Sequence, residues 1–276
     1  MNKNISILKK FSRIAYDFVD SDADLKSDLQ YVVQSLRETI QCEAVAIRLE
    51  KDGDYPYYVH DGFPEKFIER ESSLLIADKM GKPIPCADGC GYLLDCMCGR
   101  VIRGQTDSSK QFFTDYGTFY SNNTTELLKT TTQKERGGNT RNYCNACGYE
   151  SVLLTPLMHR GDTLGLFQMN DHRKNIFTLS TIACLEMLGD IISMTVRHKK
   201  LVQDIKEKLP SRDENTSKTL LMCSKCKAVK LTSGNWRPIE MFIKEITDYK
   251  FSHTYCSCCE VDALNNNIIT SSVNRK

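Results

Sequence analysis

Residues 149–171 read YESVLLTPLMHRGDTLGLFQMND, with two bulky apolar runs on either side of one short polar turn. The runs at 149–158 and 163–169 have the length and the apolar content of buried strands. Arg160, Gly161 and Asp162 between them are typical of a tight turn. We therefore predict a β-hairpin of two central strands.

The sequence before this hairpin predicts helices first and then a second hairpin. Residues 44–49 form an apolar run, 51–54 a turn, and 55–60 an aromatic strand that pairs with the first run. A short helix over 64–72 would follow, with Pro64 in its first turn. Two amphipathic helices are predicted in the first forty residues from apolar positions spaced by three and four, namely Ile7, Leu8, Phe11, Ile14, Ala15 and Phe18, and then Leu25, Leu29, Val32, Val33, Leu36 and Ile40.

A long helix is predicted after the central hairpin, over residues 178–209, with Thr178 as its N-cap. Its apolar side could pack on the sheet and then pair with a second copy of the chain. Thr195 and Lys199 interrupt that side, so packing on its own domain alone is an equal alternative. The apolar side comprises Leu185, Leu188, Ile192, Val202, Ile205 and Leu209.

The order of these elements predicts an α+β fold in which helices flank an antiparallel sheet. Of the 276 residues, 41% are hydrophobic and 26% charged, as in ordinary soluble proteins. No apolar run approaches the roughly 18 residues of a membrane span, and residues 1–10 lack the apolar segment of a secretory signal. We therefore expect a cytoplasmic protein without a membrane segment. The formal net charge of +2 gives no general attraction to nucleic acids.

Thirteen cysteines in a cytoplasmic protein indicate metal binding or redox chemistry rather than disulfides. Cys223-x2-Cys226 and Cys256-x2-Cys259 are two knuckles that together provide four thiolates, which predicts a structural zinc site. We expect His253 to orient a zinc ligand rather than to be one. A thiol redox pair at Cys256 and Cys259 is the alternative.

The polar stretch 79–148 is much longer than an ordinary loop, and such stretches are usually functional. Cys96-x-Cys98 and Cys144-x2-Cys147 could converge into a second four-thiolate site for zinc or an iron–sulfur cluster. The alternative is that these are buried small apolar residues. Participation of Cys86 and Cys90 is left open.

Polar residues between these cysteine pairs are suited to binding a small polar ligand. Arg141 has a forked guanidinium that could bind a carboxylate or phosphate. The alternative is that these side chains hydrogen-bond to one another and to the loop backbone. The candidates are Asn123, Thr125, Glu126, Arg141 and Asn142.

Phosphate-binding loops, nucleophile elbows and zinc-protease helices are absent from the sequence, as are kinase and cyclase motifs. We therefore expect a protein that is not an enzyme.

The central hairpin, with Gly161, Gly165 and the segment QMND at 168–171, resembles the closing hairpin of a GAF domain, and the resemblance covers roughly residues 5–205. The segments CMCGRVI at 96–102, FFT at 112–114, NTTELL at 123–128 and TRNYCN at 140–145 resemble a subgroup from bacterial and archaeal sensor kinases. Residues 223–259 resemble a short zinc-binding appendage of bacterial signalling proteins, although Ser257 replaces the usual proline.

The resemblance implies a GAF sensor domain at 1–209, whose insert at 79–148 covers a ligand cavity. A linker at 210–219, a small zinc-ribbon-like module at 220–262 and a flexible tail at 263–276 would follow. We expect the domain to sense a small ligand, a metal or the redox state and to signal through the zinc module to a protein partner. Dimerisation through the long helix is also expected. A nucleic-acid-binding zinc module is the alternative, based on Lys225, Lys227, Lys230 and Arg237.

Overall fold

The structure is a computed structural model that describes residues 2–87, 89, 91–138, 140–208, 220–231, 234–247 and 252. The chain divides into two compact units, Met1–Lys200 and Leu201–Lys276. The predicted linker at 210–219 and the predicted tail at 263–276 lie outside the described residues.

The first unit contains most of the secondary structure, and α7 begins in it. Its elements are α1 (Asn2–Val19), α2 (Leu25–Ile40), β1 (Ala44–Leu49), β2 (Tyr57–Asp61), α3 (Glu65–Glu71), α4 (Cys96–Ile102), β3 (Phe119–Ser121), α5 (Thr124–Thr130), α6 (Tyr143–Ala146), β4 (Ser151–His159), β5 (Asp162–Asp171) and α7 (Leu179–Lys208). The strands form one antiparallel sheet in the order β2-β1-β5-β4-β3. The predicted α+β class and both predicted hairpins are confirmed.

Both faces of this sheet are covered, which explains why its central strands are apolar throughout. On β1, Val45 and Ile47 face a core formed with α1, α2 and α7. Ala44 and Ala46 alternate with them and face a second core formed with α3, α4 and the insert. The insert is therefore one wall of a packed layer rather than a surface loop.

The long helix α7 spans 30 residues, and its segment Leu179–Gln203 is long and apolar enough to cross a membrane by length and composition. The expectation that no run of the sequence has this character was wrong. Its apolar side lies in the first core, as in the core helix of a globular domain: Ile182, Leu185, Leu188, Ile192 and Val196 are buried there.

Lys199 interrupts the apolar side of α7 for a structural reason. Its ammonium donates hydrogen bonds to the carbonyls of Ser21 (2.9 Å) and Ala23 (3.0 Å) and forms an ion pair with the buried Asp28. The lysine thus fixes α7 to the connection between α1 and α2. Pairing of the following turns with a second copy stays a prediction.

The second unit contains β6 (Val229–Lys230), β7 (Trp236–Arg237) and α8 (Ile239–Ile246) among its described residues. The two short strands pair antiparallel, with Val229 opposite Arg237 and Lys230 opposite Trp236.

Candidate functional site

A cavity of about 60 Å³ lies between the insert and the sheet. Helices α4, α5 and α6 and the loop before α6 form one side of its wall, and side chains of β3 and β4 form the other. A single buried water needs roughly 10–15 Å³ by this kind of measure. The cavity therefore has room for a few waters or for a ligand of only a few non-hydrogen atoms.

Three cysteines line this cavity: Cys96 and Cys98 from the start of α4, and Cys144 from α6. Cys98 is buried and the other two are half-buried. Cys96 has φ of 65°, a left-handed conformation that is uncommon for a residue other than glycine. Its amide is fixed by a 2.6 Å hydrogen bond to the carboxylate of Asp95. Backbone outliers of this kind concentrate at functional sites.

The hydrogen bonds around Cys96 favour its thiolate. The thiol of Cys98 donates to the Cys96 sulfur, as do the backbone amides of Met97 and Arg141, and together they lower the pKa of Cys96 to about 7. The pKa of Cys98 is raised well above its ordinary value because its thiol donates a hydrogen bond to the Cys96 sulfur, and burial adds to the effect. Burial also raises the pKa of Cys144, to about 12. Among the three cavity cysteines, the thiolate form is thus favoured at Cys96 and disfavoured at Cys98 and Cys144.

The fourth cysteine of the predicted second metal site, Cys147, does not line the cavity. The hydroxyl of Tyr143 donates a hydrogen bond to the Cys147 sulfur, which raises the pKa of that tyrosine. In the part of the chain that the structure describes, no group of three or more His, Cys, Asp or Glu side chains has a metal-binding arrangement. The four-thiolate site at Cys96, Cys98, Cys144 and Cys147 stays a prediction.

The remaining insert cysteines are elsewhere or outside the described residues. Cys86 lies in a turn, where its amide donates to the carbonyl of Gly91 at 2.7 Å, and it is not part of the cavity wall. Cys90 lies outside the described residues.

The predicted polar ligand-binding residues are mostly engaged with their neighbours. Asn123 caps α5 by accepting a 3.1 Å hydrogen bond from the amide of Glu126, whose side chain is exposed. The hydroxyl of Thr125 donates to Glu150 at 2.8 Å. Asn142 does line the cavity. These contacts agree with the alternative that these side chains hydrogen-bond to one another and to the loop backbone.

Arg141 is held by acidic groups outside the cavity wall. Its Nε donates to Asp95 at 2.9 Å, its Nη2 donates to the carbonyl of Ser73 at 2.9 Å, and its Nη1 lies 3.5 Å from Glu71. The side chain is 23% exposed. Arg141 thus connects the end of α3 to the start of α4 and positions the helix that carries Cys96 and Cys98.

Arg136 lines the cavity and was missed from the sequence. Only 6% of this residue is exposed, and Nη1 donates to the hydroxyl (2.8 Å) and the carbonyl of Thr131. Its buried Nε has no hydrogen-bond partner among the residues that the structure describes. No motif marks Arg136, and an arginine in a polar loop is normally exposed.

Arg48 lies on β1 on the insert side of the sheet and is fully buried. Its guanidinium donates to the carbonyls of Tyr55 (2.8 Å), Ser72 (3.0 Å) and Glu71 (2.5 Å), and it stacks 3.6 Å from the ring centre of Tyr57. Arg48 therefore joins three separate segments beneath the insert. Its positive charge also lowers the pKa of the nearby Cys98 and Cys144, against the stronger effect of burial.

In the second unit, Cys223 and Cys226 form a tight turn. The carbonyl of Cys223 accepts from the amide of Lys227 at 2.9 Å, and Lys227 has a left-handed φ of 59°. The Cys223 sulfur accepts hydrogen bonds from the backbone amides of Cys226 and Lys225, which lower its pKa. Cys256, Cys259 and His253 lie outside the described residues.

Solved structures similar to this chain include two bacterial GAF domains and one enzyme. The GAF domain of a phosphoenolpyruvate-protein phosphotransferase (ptsP) from Coxiella burnetii has 15% identity and a TM-score of 0.50, covering 72% of this chain and 98% of that one. The corresponding domain from Acinetobacter has 15% identity, the same coverages and a TM-score of 0.49. Free methionine-R-sulfoxide reductase from Neisseria meningitidis, in complex with its substrate, has 11% identity, covers 73% of this chain and 95% of that one, and has a TM-score of 0.48. No curated protein matches the chain.

The prediction that the chain is not an enzyme is overturned by this reductase, which is an enzyme of related fold. The prediction relied on the absence of kinase, cyclase and hydrolase motifs. That absence does not exclude catalysis on this fold.

The family comparison covers the whole sheet and most of α7. Residues 24–196 match the GAF domain family, which is more than half of the chain. Domains of this family generally have sensory or regulatory roles. By this match, and with its five-stranded antiparallel sheet between helices and an insert over a cavity, the chain belongs to the GAF domain family.

Proposed function

We propose that the first unit is a sensory domain whose input is read by the thiols of Cys96, Cys98 and Cys144. One observation carries the proposal: three cysteines from two different helices line the same small cavity. A thiolate is the reactive form of cysteine, and hydrogen-bond donors around Cys96 favour that form. The two neighbouring thiols are then available to form a disulfide with it.

The chemistry that fits this arrangement is two-electron oxidation by a small hydroperoxide. The Cys96 thiolate attacks the terminal peroxide oxygen and the O–O bond breaks, which gives a sulfenic acid on Cys96. The alkoxide that leaves takes a proton from the solvent and becomes the alcohol. The thiol of Cys98 or Cys144 then attacks that sulfur, a disulfide forms, and water leaves. The two thiols are oxidised and the peroxide is reduced.

Treatment of the fully reduced chain with one equivalent of hydroperoxide should therefore oxidise this cluster first. Peptide mapping by mass spectrometry is expected to show a disulfide from Cys96 to Cys98 or Cys144. Cys96→Ser should abolish that disulfide, whereas Cys184→Ser on α7 should leave it unchanged, because this half-buried cysteine does not line the cavity. Oxidation spread over other cysteines, with the cluster still reduced, would contradict the proposal.

We also propose that the second unit binds one structural zinc through Cys223, Cys226, Cys256 and Cys259 and contacts a protein partner. The turn at Cys223 supports this, because backbone amides directed at a cysteine sulfur stabilise a metal-binding thiolate. Four thiolates would leave no open position on the metal, so its role would be structural. Against nucleic-acid binding, Arg237 forms an ion pair with Glu245 and so contributes less positive charge.

A further inference from the structure

Arg136 differs from Arg48, Arg100 and Arg141 in what surrounds its guanidinium. Arg48 has three carbonyl partners, Arg100 has two, and Arg141 has two acidic neighbours and a carbonyl. In the described part of the chain, the hydrogen bonds of the Arg136 guanidinium all go to Thr131. Among the described residues it forms no ion pair with a carboxylate, although it is nearly as buried as Arg48.

The nearest acidic neighbour in sequence is already engaged elsewhere. Glu135 is exposed and accepts hydrogen bonds from the amide (2.7 Å) and the hydroxyl (2.9 Å) of Thr132, and these bonds lower the pKa of its carboxylate most. The charge of Arg136 adds least to that lowering, and the two side chains form no ion pair among the described residues. A buried guanidinium that no carboxylate pairs with directly is unfavourable. The free hydrogen-bonding capacity of Arg136 therefore indicates an anion that binds in the cavity.

The other polar groups of the cavity wall are satisfied within the protein. The hydroxyl of Thr140 donates to Asn142 at 2.6 Å, and the amide of Asn145 donates to the hydroxyls of Thr124 (3.0 Å) and Thr125 (2.9 Å). Much of the remaining wall is apolar and includes Phe119, Leu127, Leu128, Val152 and Leu154. A ligand would thus meet one guanidinium, the thiols and a hydrocarbon surface.

We infer that this cavity binds a small monocarboxylate with an apolar remainder, and that the forked guanidinium of Arg136 binds the carboxylate. Guanidinium groups bind carboxylates through two parallel hydrogen bonds. Because the volume is only about 60 Å³, a ligand held by Arg136 also lies against the thiols that line the same cavity. The inference rests on the proposed function, since it places the sensed ligand at the Cys96 cluster.

The test uses the reduced full chain, with propanoate as the probe and propanamide as its neutral analogue of the same size. Calorimetry is expected to show propanoate binding and much weaker propanamide binding. Bound propanoate should also slow the alkylation of Cys96 by iodoacetamide. Arg136→Gln should weaken propanoate binding by at least about tenfold, because a charge-assisted pair is lost. Arg70→Gln should not, because Arg70 is exposed and stacks on Tyr143 from outside the wall.

Comparison of the two probes on the unchanged protein keeps the test valid even if Arg136→Gln does not fold. Equal binding of propanoate and propanamide, or no binding of either, would overturn the inference. If the hydroperoxide still forms the Cys96 disulfide in that case, only the carboxylate assignment fails. If neither the disulfide nor propanoate binding is found, the proposed function fails as well.

Discussion

Arg48→Met is expected to lower the free energy of unfolding of the first unit by about 3 kcal/mol or more. Two buried carbonyls and one part-buried carbonyl lose their donor, and each buried unsatisfied group costs about 1–3 kcal/mol. Methionine fills a similar volume but donates no hydrogen bond. The carbonyls of Tyr55, Glu71 and Ser72 would be left without the charged partner that joins their segments to β1.

Urea denaturation followed by far-UV circular dichroism measures this effect, because most of the described helix lies in the first unit. Arg13→Met is the matched control. Arg13 is 72% exposed and pairs with Asp17 one turn later on α1, so its loss should change stability by no more than about 0.5 kcal/mol. Equal stability of the two variants would show that Arg48 does not hold these segments together.

Removal of zinc is expected to unfold the second unit while the first unit stays folded. Structural zinc contributes roughly 10–16 kcal/mol in small modules, which is more than a core of that size supplies alone. Trp236 is the single tryptophan of the chain and lies on β7 of the second unit. Its fluorescence therefore reports on this unit, and a strong chelator should change it while the circular dichroism of the first unit is largely retained.

Metal analysis of the same samples gives the control. Cys223→Ser should lose the zinc, and Cys184→Ser should retain one zinc per chain. Freshly purified protein without zinc, or Trp236 fluorescence that a chelator leaves unchanged, would contradict the zinc proposal. A second metal per chain that Cys147→Ser removes would support the four-thiolate site in the insert instead.

Elements that are long or strongly patterned could be predicted from the sequence. The hairpin of β4 and β5 was predictable because two apolar runs surround a turn, and α2 because its apolar residues recur at helical spacing. The insert was not. Strand β3 has only three residues, and its pairing with β4 depends on tertiary contacts that no local pattern records.

The site was predictable only in part, for a similar reason. Sequence spacing placed Cys96, Cys98 and Cys144 close together, and the cavity contains all three. It could not show that Cys147 contacts Tyr143 instead, because both thiols of a Cys-x2-Cys pair look equivalent in sequence. The sequence favoured Arg141 over Arg136 as the arginine that binds a ligand. The burial of an arginine and its acidic partners depend on segments that are distant in sequence, so the local pattern could not show them.

The central claim is that Cys96 is the reactive thiolate of the cavity, and the most direct measurement is the rate of its alkylation by iodoacetamide as a function of pH. Only the deprotonated sulfur reacts, so the rate follows the thiolate fraction. We predict a half-maximal rate near pH 7 for Cys96 in the unchanged protein. In Cys98→Ala, which removes the hydrogen-bond donor, this midpoint should shift toward the ordinary value of 9.0. In Cys98→Ser, which keeps a hydroxyl donor, the midpoint should shift less. A Cys96 that titrates like an ordinary thiol in the unchanged protein, with no response to Cys98→Ala, would contradict the account.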